Sequence, residues 1–157
     1  MAGFIKFDGI DGEVADGEHK NWIEWDTFSL GISKTGGSGV GSKRNAGTAI
    51  CHDVHITKNV DKSSPKLFVL AAQGTRNKKV EIHQVESAEG RKTYLVIELT
   101  DVMVSSYSTS GTCQSRPSES LSLNFTTIKV SYKPVDAAGK LGGAVEAKFD
   151  TDTGKAE

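Results

Sequence analysis

Apolar and polar residues alternate with a two-residue period along most of this chain, which is the pattern of β-strands with one buried face. The alternation predicts strands at residues 22–33, 48–58, 78–86, 92–106, 120–134 and 144–149. In the second segment, Ile50, Val54 and Ile56 are expected to share a face. In the fifth, the apolar parity changes between Phe125 and Ile128, which predicts a bulge or bend.

The segment WIEWDTFSLGIS at residues 22–33 carries apolar residues on both parities. Phe28 and Leu30 fall on one face, while Thr27 and Ser29 fall on the other. Because successive side chains of a strand point to opposite faces, one face can pack a core while the other meets a neighbour or a polar space.

One helix is predicted between the strands, at about residues 63–73, in the segment DKSSPKLFVLAAQG. The candidate caps of its first turn are Asp61, Ser63 and Ser64. Pro65 suits the first turn because its missing N–H has no helical partner there, and Gly74 suits the C-terminal end.

These elements predict a mainly β fold with one short α-helix. A closed β-barrel accounts for long strands with two partly apolar faces, because closure removes exposed edges. Connections are expected at 34–47 and 108–118, the first containing a flexible glycine-rich loop at 36–47, and residues 150–157 form a polar C-terminal tail. No repeat or change of composition marks a boundary, so residues 1–157 are predicted to form a single domain.

The net charge of the chain is close to zero, so only the distribution of the charged residues along the sequence is informative. Nineteen basic and twenty acidic residues give a formal net charge of −1, which does not indicate a nucleic-acid partner or a membrane surface. Residues 1–32 hold seven acids against Lys6 and Lys20, whereas residues 33–92 hold eleven basic and five acidic residues. Such segments could pair between copies of the chain, and the alternative is that both are simply solvated faces.

Cysteine usage and the N-terminus indicate the compartment. Cys51 and Cys113 are too few for a disulfide framework, which favours a reducing cytoplasm. The opening MAGFIKFDGIDG has no apolar core of a signal peptide, and no run approaches the roughly 18 apolar residues of a membrane span. We therefore expect no membrane insertion, and any export should bypass the signal-peptide route.

Two motifs are close to known catalytic or nucleotide sites. The stretch GGSGVGSK at residues 36–43 approaches the phosphate-binding pattern G-x-x-x-x-G-K-[ST], but Ser42 precedes Lys43 and a strand pattern follows instead of a helix. Residues 63–66 fit the S-x-x-K of penicillin-recognising enzymes, but K-T-G at 34–36 precedes them and S-D-N is missing. Neither nucleotide binding nor that enzymatic activity is favoured.

A metal site at Cys51, His52 and His55 is disfavoured by the strand period. Cys51 and His55 share a face and His52 points the other way, whereas zinc needs three or four convergent ligands. His19 and His83 have no reason in the sequence to join them. We predict no metal, no cofactor and no catalytic constellation, and therefore a non-enzymatic β domain built for interaction.

Four blocks of the sequence together carry a family resemblance. Residues 4–33 combine F-I-K, a G-x-x-G-E turn, an acid with a histidine, and an I-x-x-x-x-x-S-x-G strand. The others are DVHITKNVDKSSPKL at 53–67, VSSYSTSG at 104–111 and SLSLNFTTIKVSYKP at 120–134. In this order they closely resemble the Hcp family, the haemolysin-coregulated proteins of type VI secretion, although Leu30 stands where that family commonly has an aromatic residue.

The resemblance implies a fold and a function. Hcp proteins are similar to the tail-tube proteins of contractile phages, with a β-barrel and a side helix assembled as six-membered rings that stack into a tube. The implied partners are further copies of the chain in a homohexamer and in stacked rings, a spike of the valine-glycine-repeat family, the contractile sheath and baseplate, and small effectors carried or chaperoned in the lumen. The implied route is from the bacterial cytoplasm through the type VI machine, without a signal peptide.

Two sets of residues are predicted to act in such a tube. The glycine-rich loop resembles the arm that projects towards the next ring, which assigns an inter-ring contact to Gly37, Gly39, Gly41, Lys43 and Arg44. Thr27 and Ser29 are predicted to face the lumen as small polar groups.

The alternative function is a non-tube, ligand-binding β-sandwich module, such as a carbohydrate-binding domain. Such a module presents exposed aromatic side chains, and only Trp22 and Trp25 are candidates, on opposite faces of the predicted strand.

Overall fold

The structure is a computed structural model that describes residues 1–36, 46–87 and 90–157. Its elements in chain order are β1 (Ala2–Phe7), β2 (Ile23–Glu24), β3 (Thr27–Ser29), β4 (Ile32–Gly36), β5 (Ala46–Cys51), β6 (Val54–Asn59), α1 (Ser64–Gln73), β7 (Asn77–Val85), β8 (Thr93–Ser110), β9 (Ser118–Asn124), β10 (Thr127–Tyr132), β11 (Val145–Asp150) and β12 (Lys155–Ala156). The predicted mainly β fold with one short helix is confirmed.

The 18-residue strand β8 joins two arrays of antiparallel strands. One array runs β12-β11-β10-β8-β7-β1-β2, and the other runs β8-β9-β6-β3. Near the middle of β8, Asp101 has φ 55°, a left-handed conformation that few residues other than glycine adopt. The carboxylate of Asp101 accepts hydrogen bonds from Thr126 Oγ1 at 2.8 Å and Arg76 Nη1 at 2.5 Å, which hold this irregular position in place.

The strand predicted at 22–33 is wrong, because the chain changes partner twice within it. β2 pairs with β1, β3 pairs with β6, and β4 pairs with β5. The first change lies at Trp25 and Asp26, whose amides donate to Gly3 O at 3.1 Å and Thr57 O at 2.8 Å. Period-two alternation alone does not reveal such a change, because the side chains keep alternating through it.

The strand predicted at 48–58 is also two strands. β5 forms a separate hairpin with β4, whereas β6 lies in the main array. Val54 and Ile56 are fully buried, but Ile50 on β5 is 55% exposed, so the predicted common face is wrong for Ile50. In contrast, the bend predicted between Phe125 and Ile128 is confirmed, since β9 ends at Asn124 and the chain then joins β8 and β11 as β10.

The helix α1 begins and ends where the sequence indicates. Pro65 lies in its first turn, and Gly74, at φ 63°, donates its amide to Leu70 O at 3.1 Å. The capping prediction is wrong in one respect: the Ser63 hydroxyl bonds the Asp61 carboxylate and not a helical amide. Leu67 is fully buried and packs α1 against the common core.

The core fills the space behind both arrays. Its fully buried apolar residues are Ile5, Phe7, Ile23, Val54, Ile56, Leu67, Val80, Leu99, Val102, Leu121 and Leu123. The connection predicted at 108–118 is shorter than expected, because β8 continues to Ser110 and β9 begins at Ser118. In the predicted polar tail, Lys155 and Ala156 pair with β11, so the chain folds back along its own sheet. The single-domain division stays a prediction.

Candidate functional site

One face of the array β3-β6-β9-β8 carries short polar side chains on all four strands. We call it the hydroxyl face, and its members are Thr27, Ser29, His55, Thr57, Asn59, Ser106, Ser108, Ser110, Ser118, Ser120, Ser122 and Asn124. The register aligns them, since Thr57 stands opposite both Thr27 and Ser120, and Ser120 stands opposite Ser108. The opposite face of the same strands packs into the core.

The side chains of the hydroxyl face bond one another. The Oγ1 atoms of Thr27 and Thr57 lie 2.5 Å apart, and Ser122 Oγ lies 2.8 Å from His55 Nδ1. None of these twelve described positions holds a carboxylate, a lysine or an arginine. At the end of β9, Asn124 Nδ2 donates to the carboxylate of Asp53 at 3.0 Å, so the surface offers mainly uncharged hydrogen-bonding groups, a chemistry suited to weak and unspecific contact.

The two residues predicted to face a lumen belong to this surface. Thr27 and Ser29 are exposed, and Phe28 between them turns to the core, as their parity predicts. The structure adds the remaining members from β6, β9 and β8, which lie far away in sequence. Whether this surface faces a lumen stays a prediction.

A buried ionic cluster lies beneath the hydroxyl face. Lys58, fully buried, forms an ion pair with Glu119, also fully buried, and bonds Asp61 Oδ1 at 3.1 Å and Asn59 O at 2.8 Å. The carboxylate of Glu119 also accepts hydrogen bonds from Ser64 Oγ at 2.8 Å and from the Tyr107 hydroxyl.

The pKa of Tyr107 is raised, first by burial and then by its bond to the Glu119 carboxylate, so the phenol stays protonated as a donor. The cluster ties the start of α1 to strands β6, β8 and β9. It explains the block at residues 53–67 as a structural junction.

Two groups of exposed apolar side chains lie on different elements. The hairpin patch consists of Leu30, Ile32 and Ile50, and it borders an apolar groove of about 210 Å³ that also contacts β10 and β11. The helix patch consists of Phe68 and Val69 on α1, beside a hollow of about 670 Å³. Phe68 is 60% exposed and Ile32 is 58% exposed, so each patch leaves large apolar area in water.

The acid-rich segment is partly neutralised within the chain. Asp16 pairs with Arg91 at 2.9 Å, Glu13 approaches Arg116 at 3.5 Å, and Asp11 pairs with Lys6 at 2.6 Å. Hydrogen bonding to Arg91 holds the pKa of Asp16 below its ordinary value. Since Arg91 belongs to the basic segment, one of the expected contacts between segments of opposite charge forms inside one molecule.

The histidine and cysteine residues considered as metal ligands are dispersed. His52 Nε2 lies 3.2 Å from Ser33 Oγ, and His55 belongs to the hydroxyl face. Burial raises the pKa of the Cys51 thiol. Within residues 1–36, 46–87 and 90–157, no three metal-ligating side chains converge. The absence of a metal or cofactor stays a prediction.

Nothing in the sequence indicates that His19 and His83 meet, but the fold brings them together. His19 Nε2 and His83 Nδ1 lie 2.9 Å apart although the two residues are 64 positions apart in the sequence. Trp22 packs on both rings, and Trp25 packs on Phe28, so both tryptophans are half-buried. They do not form the exposed aromatic platform that the alternative β-sandwich function requires.

The predicted inter-ring residues Gly37, Gly39, Gly41, Lys43 and Arg44 lie outside the described part of the chain. Their contact with a neighbouring ring stays a prediction.

Comparison with known proteins decides the family. Residues 4–132 match the family described as type VI secretion system effector, Hcp. The chain belongs to the Hcp family. The family resemblance predicted from the four sequence blocks is thereby confirmed. Protein hcp1 of Pseudomonas aeruginosa is 34% identical over 146 residues, which cover 91% of this chain and 90% of that protein.

Solved structures agree with this assignment. A type six secretion system protein matches the Hcp-family chain with a TM-score of 0.94 at 31% identity, with 99% of each chain covered. Hcp1 from Salmonella typhimurium gives a TM-score of 0.78 at 26% identity, with 99% of this chain and 98% of that chain covered. A type VI secretion system effector from Yersinia pestis gives 0.77 at 27% identity, with 95% of this chain and 99% of that chain covered.

The assignment makes this chain a type VI secretion protein of a secreted family. In the described residues, the structure has no helix with the length and apolar character needed to traverse a bilayer.

Proposed function

We propose that this Hcp-family chain is the structural subunit of a type VI inner tube and not an enzyme. Its copies form six-membered rings, the rings stack, and sheath contraction expels the tube together with a valine-glycine-repeat spike. Small effectors travel in the lumen. The observation that carries this proposal is the pair of unlike apolar patches, because a ring built head to tail needs two different surfaces on each subunit.

The pairing pattern supports the finer proposal of a closed barrel. β2 pairs with β1 and β3 pairs with β6, while only Trp25 and Asp26 separate β2 from β3. We propose that this continuous segment closes the path β1-β7-β8-β9-β6 into a barrel, with α1 on its side. Closure leaves the shared strands without free edges, which a tube subunit needs to avoid uncontrolled strand pairing.

The hydroxyl face is the proposed wall of the lumen. Most of its members are exposed short polar side chains, with Thr57 half-buried and Ser122 buried, so an effector can contact it without being held tightly. The apolar patches are then left for contacts between neighbouring subunits, where their burial stabilises the ring.

The ring proposal predicts a specific assembly defect for each patch. Size-exclusion chromatography with light scattering should give a particle of about six chains for the unchanged protein. Ile50→Lys in the hairpin patch and Phe68→Lys in the helix patch should each shift it to smaller species at micromolar concentration, because each places a charge in a desolvated contact. Thr153→Lys, at an exposed polar position outside both patches, should assemble like the unchanged protein.

Mixing the two variants tests the head-to-tail arrangement. Ile50→Lys retains a complete helix patch and Phe68→Lys retains a complete hairpin patch, so the mixture should form one intact contact and yield a heterodimer that cannot grow. No heterodimer would show that the two patches do not meet each other. A strict monomer of the unchanged protein at high concentration would contradict the ring itself.

The lumen proposal predicts an order of distances within the ring. In a Cys51→Ser/Cys113→Ser background, spin labels at Ser120→Cys on the hydroxyl face should lie closer together across the ring than labels at Gln73→Cys on α1. Double electron–electron resonance measures both sets of distances. The reverse order would place the hydroxyl face on the outside and contradict the proposed lumen.

A further inference from the structure

Residues 12–22 lie between β1 and β2 in the chain and belong to no strand of the described sheets; we call this segment the strap. It folds on itself through the amides of Gly12 and Asn21, which donate to Asn21 O and Val14 O, both at 2.8 Å. Its connections to the rest of the chain are side-chain contacts. Among these, the ion pair of Glu13 with Arg116 is exposed and that of Asp16 with Arg91 is exposed on the arginine side, so both are weak.

The buried connection of the strap is the histidine pair. His19 is 3% exposed, and its ring stacks on Phe4 of β1 with centroids 4.6 Å apart and an interplanar angle of 22°. Its Nε2 lies 2.9 Å from Nδ1 of His83 on β7. Trp22 closes the other side, with ring centroids 4.8 Å from His19 and 4.5 Å from His83.

This bond tolerates only certain protonation states. One ring must donate an N–H and the other must accept with a lone pair, so the pair can hold at most one extra proton. With both rings protonated, two N–H groups and two positive charges would face each other at this separation. The contact would then repel in a site partly removed from water.

The charged groups around the pair do not remove this constraint. From the strap, Asp16 and Glu18 face His19, and from β7, Glu81 and Lys79 act on His83. Burial is the leading cause that lowers the pKa of both histidines, and for His83 the charge of His19 adds to it. The closed strap therefore resists protonation that a solvent-exposed imidazole would accept.

We propose that the His19–His83 bond is an acid-sensitive latch, so that in an acidic medium the strap opens while the sheet core stays folded. Opening removes one wall of the hollow of about 490 Å³ that Phe4, Glu13, Asp16 and Arg91 help to line. The proposal does not depend on the ring.

The sign and size of the effect follow from proton linkage. The pKa of His83 is about 4 in the closed strap against an ordinary value of 6.5, so the open strap binds the extra proton between these two values. The contribution of the histidine pair to closure is fully present above pH 6.5 and is lost as the pH falls towards 4. The opening equilibrium should grow about tenfold per pH unit, or on the order of 100-fold over this range, and His19 adds to it in the same direction.

Hydrogen exchange of the full chain, followed by mass spectrometry between pH 4 and 7 and corrected for intrinsic rates, tests the latch. Peptides covering residues 12–22 should exchange faster as the pH falls, by the same factor as the opening equilibrium, while peptides from β8 and β9 stay protected. The double variant His19→Gln/His83→Gln should lose the pH dependence. His55→Gln, on the hydroxyl face, and Asp16→Asn, beside the latch, should both keep it.

An unchanged pH dependence in the double variant would overturn the proposal, as would simultaneous opening of the strap and the β8–β9 core. If the double variant fails to fold, an NMR titration of the unchanged protein tests the latch instead. In this titration, the imidazole signals of His19 and His83 and the amide signals of the strap should then shift with one midpoint below 6.5. Histidine midpoints at ordinary values, without strap shifts, would refute the latch.

Discussion

Lys58→Met should lower the free energy of unfolding by about 3–5 kcal/mol, the range seen when one partner of a buried ion pair is removed. Methionine keeps the length of the side chain but removes its charge. The carboxylate of Glu119 is then left fully buried, with only the Ser64 and Tyr107 hydroxyls to solvate it, and that of Asp61 loses its 3.1 Å partner. Urea unfolding followed by circular dichroism at one fixed protein concentration measures the loss, since assembly adds a concentration-dependent contribution.

Two further variants make this prediction specific. Lys62→Met removes a charge from an exposed lysine four residues further on and should change stability by no more than about 0.5 kcal/mol. Lys58→Met/Glu119→Gln removes both charges of the pair and should recover at least half of the loss, because no unpaired charge of that pair remains buried. A loss of less than about 1 kcal/mol for Lys58→Met alone would show that the cluster is solvated by other means.

This cluster was not predicted, although the sequence contains a signal for it. Lys58 shares its parity with Val54 and Ile56, and Glu119 shares its parity with Leu121 and Leu123. A charged residue in register with buried apolar residues, on each of two strands, indicates a buried pair. The pairing itself depends on the register of β6 against β9, which joins residues 61 positions apart.

Local signals explain the predictions that were confirmed. Pro65 and Gly74 determine the two ends of the helix because each acts through its own backbone conformation. The parity change after Phe125 coincides with the end of β9 and the start of the next strand. The positions of Thr27 and Ser29 also follow from parity alone.

The failures have a common cause in strand pairing. The predicted strands are interrupted at Trp25 and His52 because the chain changes its pairing partner there. The residues next to these positions in the sequence do not indicate which strand will be the partner. The same reason hides the histidine pair, since nothing near His19 indicates that β7 will place His83 beside it. The other members of the hydroxyl face could not be predicted, because the register of β6, β9 and β8 determines which of their side chains lie beside Thr27 and Ser29.

Gly12→Ala should destabilise the protein by about 1–3 kcal/mol, the usual cost of an extra methyl group in a packed site. A Cβ at this position would lie 2.3 Å from Trp22 O and 2.6 Å from Ile23 Cγ1. The first contact is with backbone, and Ile23 is fully buried, so neither neighbour can move cheaply. The strain is relieved most easily by displacing the strap. The strap belongs to no sheet, whereas Ile23 is part of a strand and is held in the packed core.

The location of the damage distinguishes this effect from general instability. Gly12→Ala should speed hydrogen exchange in residues 12–22 at neutral pH, where the histidine latch is closed in the unchanged protein, while β8 and β9 remain protected. Gly17→Ala is the matched control in the same segment, because a Cβ there meets nothing within 4 Å. That variant should be as stable as the unchanged protein or slightly more so, since alanine restricts the unfolded chain. If both substitutions had the same effect, the close approach at Gly12 would not be what holds the strap against β2, and its packing would rest on the histidine pair alone.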